Sequence, residues 1–200
     1  MLKKLVDDLH VSKADRLAKT FQRTGRAGFW LLVILGAFPV LLMIYVFSFT
    51  GSISGPRAGL PIVGLLTAIN LVLLVFVVVW FHRYQALGRR IGAADTRPGE
   101  TAVARRVWVG LVASGLGIVF SILVMLIEVG HLLFYFLAAP QGGVPTIQTT
   151  PGTLDGSWVS AVDLASLMSL VLVLGAEVLA TIFGLWLLFR TIHTYEALND

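Results

Sequence analysis

The chain has no cysteine. That excludes a disulfide framework, a thiolate metal site and a cysteine nucleophile. Charge is scarce as well: 13% of the 200 residues are Asp, Glu, Lys or Arg, against about 25% in an ordinary soluble domain. With 57% hydrophobic residues, a soluble globular fold is excluded. The common enzyme signatures are missing too, with no GxSxG elbow, HExxH pair, P-loop or dinucleotide fingerprint. The chain does not read as an enzyme. Residues 1–27 hold seven Lys/Arg and three Asp. They lack the short apolar core and small-residue cleavage site of a secretory signal.

What is present is apolar and arranged in blocks. Residues 28–49, 60–81, 107–139 and 158–189 are each mainly apolar. About 20 such residues suffice for a helix to cross a hydrocarbon core of about 30 Å. The pattern predicts an all-α membrane protein with four transmembrane helices in two hairpins, in contact with the lipid bilayer.

Charge sets the expected orientation. Of fifteen Lys/Arg, seven precede the first span and six lie between His82 and Arg106. Arg57 alone lies in the first outer connection, and residues 140–157 have none. The positive-inside rule then places both termini and the middle loop in the cytoplasm. The basic balance is a topology signal and an attraction to anionic headgroups, not a sign of nucleic acid.

Residues 1–27 read as an amphipathic helix lying on the membrane. Leu2, Leu5, Val6 and Leu9 recur at helical spacing, and Ala14, Leu17 and Phe21 continue the stripe. Pro39 is expected to kink the first span. The third and fourth spans exceed what a bilayer needs, so they tilt or project beyond it. Residues 191–200 form a short cytoplasmic tail. A faint repeat links HRYQAL (His82–Leu87) to HTYEAL (His193–Leu198).

Two stripes of small residues mark close packing. Ala113, Gly117 and Ser121 recur every four residues in the third span; Ala176, Ala180 and Gly184 do so in the fourth. Such stripes let backbones approach where lipid supplies no hydrophobic drive. They predict tight contact between these two helices or between protomers.

The polar residues inside the spans carry the functional question. Glu177 lies near the middle of the last span, where an ionisable group costs roughly 2.5–3.5 kcal/mol on insertion scales. It must therefore face protein or water. Asp163, fourteen residues earlier, shares its face to within about 40°. Glu128 and His131 share a face of the third span, and Asn70 lies near Glu177's level in the second. Three readings stay open. The set Glu177, Asp163, Glu128, His131 and Asn70 is an ion or proton pathway, a structural cluster with Glu177 protonated, or a contact with a partner subunit. His82 and His193 sit at helix ends, where histidine is usually solvated, so no haem or other cofactor is expected.

The segment RLAKTFQRTGRAGFWLLVILGA (Arg16–Ala37) and the pairing of SAVDL (Ser160–Leu164) with GLWLL (Gly184–Leu188) carry a resemblance. They resemble a four-helix membrane family of unknown function found in cyanobacteria, other bacteria and plastids. It includes the chloroplast inner-envelope protein described both as an iron permease and as a component of the protein-import translocon. The plastid relatives carry a Gln/Asn-rich run and a histidine in the last helix. Here Met168–Glu177 reads MSLVLVLGAE, apolar except for Ser169 and Glu177. The resemblance sets Glu177 where the relatives' histidine sits and Asp163 at their aspartate. It implies a small cation or metal permease, with a non-transporting accessory or assembly subunit of a larger membrane complex as the rival. Without a plastid transit peptide, the expected setting is a bacterial inner membrane, cytoplasmic or photosynthetic. The expected partners are further copies of the chain or other subunits.

Overall fold

Each apolar block becomes part of one long helix: α1 (Leu2–Phe49), α2 (Pro61–Gly92), α3 (Glu100–Ala138) and α4 (Ala161–Asn199). This computed structural model describes the backbone of residues 2–49, 61–93, 98–138 and 161–199, and side chains chiefly within 15–45, 64–93, 98–134 and 165–196. The helices hold 48, 32, 39 and 39 residues. At 1.5 Å per residue they run from about 48 to about 72 Å, well beyond a hydrocarbon core of about 30 Å. Each contains a stretch long and apolar enough to cross a membrane: Asp15–Tyr45, Gly64–Gly92, Glu100–Phe134 and Ala165–Glu196. The chain is a multi-pass membrane protein. Outward faces such as Trp30, Ile34 and Leu41 of α1, or Val119 and Leu126 of α3, are exposed apolar surface for lipid.

The helices form an up-and-down ring. α1 meets α2 and α4, α3 meets α2 and α4, and α2 touches α4 across the diagonal, whereas among the described residues α1 and α3 do not meet. Every neighbour is antiparallel. Gly28 lies against Phe81 and Gly36 against Leu74, so α1 and α2 run in opposite senses. Trp80 bonds near the start of α3 and Asn70 further along it. Thr181 meets Ser114 while Tyr195 reaches Pro98.

The N-terminal expectation needs correction. No separate interfacial helix precedes the first span, because α1 runs unbroken from Leu2 through Pro39 to Phe49. The ring of Pro39 is buried and the helix continues past it. Leu17 and Phe21 of the stripe, with Ala18 beside them, are buried in protein. Phe21 meets Tyr84 edge-on with ring centroids 6.2 Å apart, and Ala18 belongs to the same core. The physical reason is that α2 does not stop at Phe81. It continues to Gly92 and offers Tyr84, Leu87 and Ile91 as a buried counter-surface. The side chains of residues 1–14 lie outside the described residues.

The other helices lengthen at the same end. α3 begins at Glu100, before the expected start, and α4 runs to Asn199 through the expected tail. Val103 and Val107 of α3 and Leu187 of α4 join Leu17, Phe21 and Leu87 in one core. Most of the expected polar loop is therefore helix, because Leu87, Ile91, Val103 and Val107 recur at spacings that bury one face. This is the basic end of the bundle, where Arg83, Arg89, Arg90, Arg105 and Arg106 lie.

Candidate functional site

Glu177 has none of its surface exposed. Its face of α4 turns inward because Val173, Ala176, Ala180 and Gly184 share that side and are themselves buried. Opposite, α3 presents Gly117 and Ser121. The carboxyl of Glu177 rests on Gly117, where an added β-carbon would overlap all three carboxyl atoms. Ser121 Oγ donates to Glu177 Oε2 at 3.4 Å. Asn70 Nδ2 of α2 donates to Ser121 Oγ at 2.8 Å. One chain of polar contacts thus joins α2, α3 and α4 in the interior of the bundle. A turn nearer the basic end, Thr181 Oγ1 lies 2.9 Å from both Ser114 Oγ and the backbone carbonyl of Glu177. Its single proton serves one of them at a time.

The centre is short of donors. Glu177 Oε1 and Asn70 Oδ1 are buried and have no hydrogen-bond partner. Both are acceptor atoms. A buried polar atom left unpaired costs about 1–3 kcal/mol, so two in one centre set it apart from the apolar packing around it.

The remaining expected site residues do not join this centre. Asp163 lies at the far end of α4, about 21 Å along the axis from Glu177, and its side chain is outside the described residues. Glu128 is buried and His131 partly so, but Glu128 stands seven residues beyond Ser121, or about 10 Å along α3. An apolar layer of Val124 and Leu170, with Leu66 and Ile127 packed against it, lies between. Among the described residues no group of three or more His, Asp or Glu side chains is placed to hold a metal ion. His82 lies on α2 with its ring 5.8 Å from that of Phe29, and His193 stacks on Phe189 of α4.

The small-residue stripes meet inside one chain. Ala113, Gly117 and Ser121 of α3 and Ala176, Ala180 and Gly184 of α4 are all buried. Gly117 and Gly184 are not equivalent, however. A β-carbon at Gly184 would come 3.1 Å from Leu111 Cδ1, the end of a flexible side chain. Leu111 can move; the carboxyl on Gly117 is enclosed.

Several polar anchors escape a reading of the sequence. Ser114 looks like one more small residue, yet it meets Thr181. Trp80 Nε1 donates to the Arg106 carbonyl at 2.9 Å, and Tyr84 Oη to the Val107 carbonyl at 3.3 Å. Tyr195 Oη donates to the Pro98 carbonyl at 2.9 Å. The two tyrosines are the matching positions of HRYQAL and HTYEAL, and both fasten the segment that starts α3. The repeat itself is the signal that the sequence offers for them.

Residues 11–192 match the family described as "Protein of unknown function (DUF3611)". The chain belongs to that family. The DUF3611 match covers Asn70, Ser121 and Glu177, the first three candidate spans in full and the fourth as far as residue 192. No curated protein and no solved structure matches the chain, so no named relative supports the likeness to the chloroplast envelope protein.

Proposed function

We propose that the chain is a small-cation permease in which the Asn70–Ser121–Glu177 centre binds the proton or cation in transit. The observation behind this reading is the pair of buried acceptor oxygens, Glu177 Oε1 and Asn70 Oδ1, that lack a donor. A proton on Glu177 turns one acceptor into a donor. A cation in the same place is held by carboxylate, amide and hydroxyl oxygens. Oxygen ligands of this kind suit a proton or a hard cation better than a soft metal. An intramembrane carboxyl held inside a bundle is the usual mark of such a pathway.

Release needs a path, and the apolar clusters around Val77 and Val124 flank the centre. Transport therefore requires α3 and α4 to part at Gly117, the point where the carboxyl sits between the two backbones. The rival reading is an accessory subunit whose buried acid only fixes helix packing. The same enclosure by apolar clusters favours it.

Infrared difference spectroscopy separates the two. A carboxyl C=O band that responds to bulk pH and vanishes in Glu177→Gln is expected for a centre that exchanges protons. A spectrum that is identical in the variant, with no responding band, leaves the accessory-subunit reading.

A further inference from the structure

Away from the polar centre, one surface feature combines an apolar trough with a single cation. A groove of about 460 Å³ opens outward between α2 and α3. Leu73 and Phe76 line it from α2; Trp108, Val112 and Leu116 line it from α3, with Arg105 at one end. Among the described residues, Arg105 is the only charged one on its walls. On α3 the lining recurs at offsets of three, four and four from Arg105 to Leu116, so these residues share one face.

The walls are braced from behind. Phe76 stacks on Trp80 with centroids 5.2 Å apart, and Trp80 Nε1 is tied to the Arg106 carbonyl. The Arg83 guanidinium lies 5.2 Å from the centre of the Trp80 ring. A second cation thus stands at the same end as Arg105, which is exposed and has no ion pair among the described residues.

We propose that this groove holds one anionic phospholipid, with its phosphate on Arg105 and an acyl chain running along Trp108, Val112 and Leu116. Length agrees. Arg105 to Leu116 covers about 16 Å of helix axis, close to the half-thickness of a hydrocarbon core of about 30 Å. Charge agrees as well. A guanidinium offers paired donors to a phosphate, and basic pockets between helices at the basic face of a membrane protein suit anionic headgroups. An apolar trough with one cation at its interfacial end has the polarity pattern of an amphiphile. A partner helix would bring backbone and side chains along the whole trough and has no particular need of the arginine.

Native mass spectrometry of the delipidated full chain, titrated separately with phosphatidylglycerol and phosphatidylcholine, tests this. One tightly held phosphatidylglycerol per chain is expected, with phosphatidylcholine held more weakly. Arg105→Gln should weaken phosphatidylglycerol about tenfold and leave phosphatidylcholine unchanged. Val112→Trp should weaken both by filling the trough. Arg23→Gln, on α1, which among the described residues does not touch α3, should change neither. Equal retention of the two lipids, or phosphatidylglycerol binding unaltered by Arg105→Gln, overturns the proposal. So does a photo-crosslinker at residue 112 that captures protein, whether a second copy or another chain, in place of lipid.

Discussion

The carboxyl of Glu177 occupies the space that a side chain on Gly117 would need. The polar centre and the close crossing of α3 on α4 are therefore one feature. The acid stays buried because the two backbones approach, and they approach because residue 117 has no β-carbon. Any motion that frees the carboxyl also loosens this crossing.

Gly117→Ala is thus expected to be costly, and Gly184→Ala mild. The first forces a methyl into an enclosed carboxyl and should destabilise by about 1–3 kcal/mol, as overpacking generally does. At residue 184 the methyl meets only the end of the Leu111 side chain, which can turn aside. Thermal unfolding of both variants in the same detergent checks the ranking. Equal melting temperatures would remove the distinction drawn between the two glycines.

A second expectation concerns the basic end. Phe21 has no exposed surface and packs on Tyr84, so Phe21→Ala should cost about 3–5 kcal/mol. If the N-terminal stripe covered lipid instead, the variant would lose membrane affinity and little stability. Denaturation followed by tryptophan fluorescence distinguishes these outcomes.

Trp80 and Tyr195 should matter jointly for the start of α3. Trp80→Phe and Tyr195→Phe each remove one bond to a backbone carbonyl, worth about 1 kcal/mol. Hydrogen exchange of the amides from residue 99 to 107 should accelerate in each variant and most in the pair. Unchanged protection there would show that these anchors are incidental.

Much of this architecture is legible in the residues. Four apolar blocks of sufficient length announce four spans, and the coincidence of Glu177 with Ala176, Ala180 and Gly184 already places that acid on a buried face. Other features are not legible, for identifiable reasons. A serine at a four-residue spacing reads as a small residue, so Ser121 looks like packing until Asn70 and Glu177 are seen on either side of it. The α2 sequence is apolar almost all round, and its rotation, which decides what Asn70 meets, is set by tertiary contacts. An amphipathic stripe such as Leu17 and Phe21 has the same pattern whether lipid or a neighbouring helix covers it. The intervening layer at Val124 and Leu170 is equally silent, because apolar residues between two acids do not reveal whether the acids communicate.

The orientation expected from charge has its own test. With thirteen of fifteen Lys/Arg before the first span or between the second and third, Ser54→Cys and Gly152→Cys should label from outside. Thr96→Cys should label only after permeabilisation. Outside labelling at residue 96 would invert the topology.

Flux through Glu177 is the most direct measure of the permease reading. In proteoliposomes carrying a proton or cation gradient, the native chain should dissipate the gradient faster than empty liposomes. Glu177→Gln keeps the size and hydrogen-bonding capacity but cannot ionise. It should return flux to the empty-liposome rate while melting at the native temperature. A Glu177→Gln protein that carries native flux, or a native chain no faster than empty liposomes, contradicts the account.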